Sequence, residues 1–158
     1  MTDNAVESKQ GGARVRLPPP LPFLVAIAAG WLIPGLRVHG QHGVRIALGA
    51  LVLAGGLALV LAAFGLFRKT GQDPKPWMPS PELILQGPYK YTRNPMYVGM
   101  ILVTLGVSAL AGHGWIAVLA FAALAVVHYT AVLPEERYLT AKFGSQYTQY
   151  KDSVRRYV

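Results

Sequence analysis

A chain of 158 residues with 53% hydrophobic residues, 14% charged ones and no cysteine excludes disulfide frameworks, thiolate metal sites and cysteine nucleophiles. The charged fraction lies well below the roughly one quarter usual in soluble domains, and the apolar residues gather in a few long runs, which points to a polytopic membrane protein. The net charge of +8 then suits anionic lipid headgroups and membrane orientation, and no nucleic-acid partner is expected.

Residues 1–20 are polar and then rich in glycine and proline (Gly11-Gly12, Pro18-Pro19-Pro20). They read as a mobile arm ahead of a single membrane domain over 21–158. Arg14 and Arg16 before an apolar run raise a cleavable signal peptide as the rival, but the run lacks a small-residue cleavage site, and Trp31 and Pro34 suit a retained segment. The first apolar segment, about Leu21 to Leu36, covers roughly 24 Å against about 30 Å of hydrocarbon. It spans with Trp31 as an interfacial anchor, or lies partly in the interface.

The second segment, about Val44 to Phe67, is long enough to cross with tilt. Its Gly49, Gly55-Gly56 and Gly65 predict close helix contact of the small-xxx-small kind, and Arg68-Lys69 ends it. The linker from Thr70 to Asn94 carries Pro74, Pro76, Pro79, Pro81 and Pro88, and is stiff for that reason. A third segment, about Met96 to Ala111, turns at Gly112-His113-Gly114 into a fourth, about Trp115 to Leu133, so the two are antiparallel neighbours. Pro134 is expected to end or kink the fourth helix. The tail keeps a helical pattern in Leu139, Phe143, Tyr147 and Tyr150, with Gly144 dividing it and Ser145 a candidate N-cap.

The fold class that follows is all-α, with about four transmembrane helices and a cytoplasmic helical tail. Thirteen of the fifteen lysines and arginines fall in the arm, in Arg68-Lys69 with the linker that follows, and in the tail, whereas Arg37 and Arg45 fall on the opposite side. The positive-inside rule therefore makes the first side cytoplasmic and favours an even number of spans.

Two stretches carry chemistry. Gln86 to Gly99 is a polar, aromatic, proline-punctuated loop at the mouth of the third helix. Glu135-Glu136 follows Pro134 in a chain with seven acids. As a bare pair they complement the dipole at the start of the tail helix, but the tight turn between the third and fourth helices brings them to the same membrane depth as Asn94-Pro95. His39 and His42 have metal-like spacing with no carboxylate beside them, so no metal site is expected. His128 is an ionisable residue within an apolar run, and hence a functional candidate.

The run Gly87-Pro88-Tyr89-Lys90-Tyr91-Thr92-Arg93-Asn94-Pro95-Met96-Tyr97-Val98-Gly99 resembles the signature of the isoprenylcysteine carboxyl methyltransferase and phospholipid methyltransferase group. Glu135-Glu136-Arg137-Tyr138-Leu139, followed by Phe143-Gly144, Tyr147 and Tyr150, resembles the ending of the same group. The resemblance implies an integral membrane methyltransferase using S-adenosylmethionine on a lipophilic, membrane-partitioning acceptor: a carboxylate, an amine headgroup or a thiol. Carried over, Gly87, Tyr89, Arg93, Asn94, Pro95, Tyr97, His128, Glu135 and Glu136 would hold the cofactor, with Arg93, Asn94 and Glu136 nearest the chemistry. Asn94 stands where many members have histidine, and asparagine does not titrate near neutrality, so no general base is assigned there. Arg137, Arg155 and Arg156 are either holders of an anionic headgroup or solvated cations. A nicotinamide-dependent membrane reductase and a non-enzymatic membrane subunit are the alternatives.

Overall fold

The computed structural model describes residues 12, 13, 15 and 17–157, and most of the expected N-terminal arm lies outside them. The described residues are helical, with no strand among them and one isolated antiparallel bridge, Arg37 to His113. They divide into two compact units, one of Pro19–Leu61 and Met96–Val127, the other built mainly from 62–95 and 128–157.

In the first unit, α1 (Pro20–Leu32) begins on a proline, whose missing N–H costs nothing in a first helical turn. It stops at Leu32, short of the expected Leu36. Ile33 is extended (φ −81°, ψ 118°) because the ring of Pro34 disfavours a helical residue before it. Its buried face of Phe23, Ala26 and Gly30 lies on α4 (Gly114–Val127), where a Cβ on Gly30 would meet the Ile116 backbone at 2.6 Å.

The helix α2 (His42–Lys69) has 28 residues, and its first part packs on α3 (Pro95–Ala111). A Cβ at Gly56 would lie 2.7 Å from the Val103 nitrogen, and one at Gly49 would lie 3.0 Å from the Ala109 side chain. Gly55 and Gly65 face open space, so the glycine seam is narrower than the sequence pattern suggested. Arg45 donates to the carbonyls of Ala109 and Leu110 (3.0 Å to the latter), satisfying acceptors that the end of α3 leaves open. His113 stacks on Trp31 with ring centroids 4.8 Å apart, and the Trp115 indole donates to the Pro34 carbonyl at 3.1 Å.

Leu24, Leu51, Leu61 and Phe121 remain largely exposed, an apolar surface of the kind lipid covers. Among the described residues, His42–Lys69 and Gly114–Phe143 are long and apolar enough to cross a membrane, and α1 and α3 are shorter apolar helices.

In the second unit, the chain leaving α4 passes through a π-helical turn, His128–Val132, into α5 (Leu133–Phe143). Pro134 therefore lies in the first turn of α5, and the helical path continues past it to Phe143. Proline cannot donate to the residue four before it, and the wider turn just ahead accommodates that loss. Gly144 (φ +55°) separates α5 from α6 (Ser145–Ser153), and it takes the capping place expected of Ser145. Residues 155 and 156 then lie against 92–94: Arg93 N–H donates to the Arg155 carbonyl at 3.0 Å, while Thr92 Oγ1 and Asn94 Nδ2 donate to the Arg156 carbonyl at 3.1 and 3.0 Å.

Candidate functional site

The site lies within the second unit, and its walls can be traced to local sequence. The end of α2 carries Gly71 at φ +68°. Gly71 N–H bonds the Arg68 carbonyl, and Gln72 N–H reaches back to the Phe67 carbonyl at 2.9 Å. That pairing is the Schellman ending, which glycine favours because the left-handed conformation is free of Cβ strain there. It fixes Gln72 beside Phe67.

The proline-rich linker is then pinned twice. Tyr138 OH accepts from Ser80 N–H at 3.2 Å, and the N–H groups of Gly12 and Ala13 donate to the carbonyls of Trp77 and Pro76. A 3-10 turn, Gly87–Lys90, follows. It starts at φ +58°, with Leu66 only 3.1 Å from where a Cβ on Gly87 would sit. Thr92 Oγ1 accepts from Asn94 N–H at 3.2 Å and so closes the turn into α3.

These segments and α5–α6 enclose a narrow cleft of about 50 Å³. Phe67 and Gln72 come from the end of α2, Ser80 to Ile84 from the linker, Tyr89 and Arg93 from the loop, and Glu135, Leu139, Tyr147 and Tyr150 from α5 and α6. Beside it lies an ion cluster. Arg156 clasps Glu136 through two hydrogen bonds, Nε to Oε1 at 2.9 Å and Nη2 to Oε2 at 2.8 Å. Arg93 Nη1 stands 3.3 Å from the same carboxylate. That approach is close enough for charge pairing but misaligned for a hydrogen bond, so Arg93 Nε and Nη1 are buried without a bonding partner. The Gln72 carboxamide is also buried, and neither its oxygen nor its nitrogen has a protein partner.

Burial dominates the phenols. It raises Tyr89 well above the usual range, with the Glu135 carboxylate adding to the effect. It pushes Tyr150 up to about 12 although Arg93 pulls the other way, and it raises Tyr147 with help from Glu136. All three stay protonated near neutrality and serve as hydrogen-bonding groups, as when Tyr150 OH donates to the Tyr89 carbonyl at 2.7 Å.

The expected residues are distributed unevenly about the cleft. Tyr89, Arg93 and Glu135 line it. Glu136 holds the two arginines, and Asn94 spends its amide on the Arg156 carbonyl. Gly87 shapes the turn, Pro95 is the buried first residue of α3, and Tyr97 is buried in that helix but belongs to the first unit. His128 shares a 2.7 Å hydrogen bond with Tyr157 OH at the π-helical turn. Gln72, Ser80 and the Leu83-Ile84 wall were not singled out from sequence. The signal for Gln72 was Gly71 after a basic helix end, which marks a helix stop. Arg156, considered for a headgroup, is committed to Glu136.

The polar side chains left without bonds beside aromatic walls fit a ligand with both charged and flat aromatic parts, and comparison with known proteins bears on which. The sequence profile of the phospholipid methyltransferase family matches residues 44–146. The chain belongs to that family. This phospholipid methyltransferase family member is 34% identical over 73 residues to Protein-S-isoprenylcysteine O-methyltransferase of Schizosaccharomyces pombe, a match covering 46% of this chain and 30% of that protein. It is also 34% identical over 65 residues to an uncharacterized protein of Haemophilus influenzae, covering 40% of this chain and all of that one. No solved structure matches. The family match spans the end of α2, the Arg93 loop and the Glu135-Glu136 pair, so it includes most of the cleft.

Proposed function

We propose that this chain is an integral membrane methyltransferase that moves a methyl group from S-adenosylmethionine to a lipophilic acceptor carrying a carboxylate, an amine or a thiol. The observation that carries the reading is Arg93. Its side chain is only 10% exposed and has two guanidinium nitrogens without a hydrogen bond at the edge of the cleft, inside the region the family profile matches. A buried, under-bonded guanidinium is matched in charge and geometry by a carboxylate such as the one on an amino-acid cofactor.

The cofactor supplies a sulfonium methyl that is already activated for in-line transfer. The protein's part is then binding, alignment and exclusion of water. Arg93 takes the carboxylate, and Glu135 takes the amino group or the ribose hydroxyls. Tyr89, Tyr147 and Tyr150 remain neutral and shield the site from solvent. Glu136 and Asn94 act one step back: the first fixes Arg93 and Arg156, and the second ties residues 155–157 to the loop. The cleft at about 50 Å³ holds a few waters, so the partly exposed Ser80–Ile84 wall moves outward to admit a nucleoside.

The charge distribution supports four crossings with the cleft facing the cytoplasm. Within that arrangement α1, 13 residues long and so about 20 Å, requires local thinning of the bilayer. The test is calorimetry on detergent-purified protein with S-adenosylhomocysteine, NADPH and haem, together with radiolabelled methyl transfer into membrane extracts. Binding of the first ligand and labelling of an extractable acceptor are expected. Heat with NADPH or haem alone would refute the reading.

A further inference from the structure

We propose that Gln72 reads the base of the cofactor, its carboxamide meeting the edge of adenine, which makes it a specificity-determining residue of the cleft. This rests on the S-adenosylmethionine reading above. The residue after the left-handed glycine of a Schellman ending commonly makes an apolar contact with the last turn of the helix. Here that residue is Gln72, 6% exposed and facing the cleft beside Phe67, with both carboxamide atoms unbonded by protein. A buried polar group left without a partner is destabilising. Rules broken without compensation inside the fold gather at functional sites.

The chemistry narrows the ligand part. A carboxamide offers one donor and one acceptor side by side. The adenine edge offers an amino donor next to a ring-nitrogen acceptor, the complementary pair. Charge sorts the two ends of the ligand. A carboxylate belongs with the Arg93 guanidinium, and a neutral base belongs with the neutral amide. The neighbours agree, since the rings of Phe67 and Tyr89 (centroids 6.2 Å apart, 72° between planes) and the side chains of Leu83 and Ile84 give a flat heterocycle apolar and aromatic surface.

The test uses the full-length protein in detergent and two probes: S-adenosylhomocysteine, and 5′-methylthioadenosine, which keeps base and ribose but lacks the amino acid. Gln72→Met, similar in volume, should weaken both by the same factor, about 30-fold for two neutral hydrogen bonds. It should also raise the melting temperature of the ligand-free protein, because the unbonded amide is gone. Gln72→Asn, one methylene shorter, should weaken both probes without that rise, and serves if the methionine variant fails to fold. Loss against S-adenosylhomocysteine alone would place Gln72 at the amino-acid end and overturn the proposal. Unchanged affinity for both, with wild type binding normally, would overturn it while leaving the methyltransferase reading intact. Wild type that binds neither probe would overturn both.

Discussion

Glu136→Gln removes one charge and almost no volume, so its effect isolates the electrostatics of the ion cluster. The Glu136 carboxylate compensates two cations that differ in exposure: the Arg93 side chain is 10% exposed and that of Arg156 is 38% exposed. Arg156 can rehydrate, so its two bonds are discounted for solvent screening. Arg93 cannot, and breaking a buried pair by removing one partner costs about 3–5 kcal/mol. Because the glutamine oxygen still accepts a hydrogen bond, the lower end applies, about 3 kcal/mol, or about 6–12 °C in melting temperature for a chain of this size. The second arm is Arg93→Met with Glu136→Leu, which removes both charges and should return the melting temperature to within about 3 °C of wild type. Recovery of stability should not bring recovery of S-adenosylhomocysteine binding, since Arg93 is then absent. Thermal unfolding in detergent followed by calorimetric titration reads both quantities. A melting temperature for Glu136→Gln within 1 °C of wild type would refute the electrostatic argument, and wild-type affinity in the double variant would remove Arg93 from the site.

Three further outcomes are expected. Gly71→Ala has free space for its methyl but must hold φ at +68°; it should cost about 1–2 kcal/mol by conformation alone, read as a fall in melting temperature. Gly56→Val should be strongly destabilising because its Cβ would sit 2.7 Å from the Val103 nitrogen, whereas Gly55→Ala, with nothing within 4 Å, should be neutral or slightly stabilising; parallel thermal melts compare them. Burial raises Tyr150 from 10 to about 12, so the unfolded chain binds fewer protons in that window, and the contribution of Tyr150 to stability should be full below pH 10 and be lost as pH rises through 10 to 12. Melting temperature against pH, with tyrosinate absorbance as the second probe, checks the sign.

The sequence by itself determined the helical class, the four apolar segments and the two polar stretches that approach each other, because hydrophobic run length and proline and glycine punctuation are local properties of the chain. The family was legible for the same reason: Arg93 to Tyr97 and Glu135-Glu136 are short and fixed in spacing. Local signals also set the limits. Pro134 reads as a helix end or a kink to any rule based on the α-helical hydrogen bond, and only the structure introduces the π-helical turn just ahead of it. The glycines of α2 look alike in sequence, yet a Cβ at Gly49 or Gly56 would run into α3, and one at Gly55 or Gly65 would meet nothing within 4 Å.

The roles within the site were decided by tertiary structure alone. Asn94, conspicuous because it replaces a histidine, gives its amide to the Arg156 carbonyl 62 positions away. Glu136 is drawn into the Arg156 clasp, while Glu135 faces the cleft. Gly71 after a basic helix end marks where the helix stops, but that Gln72 is buried without a bonding partner only the structure shows. Hydrogen-bond satisfaction depends on every segment folded against a side chain, and no window of sequence contains those segments together.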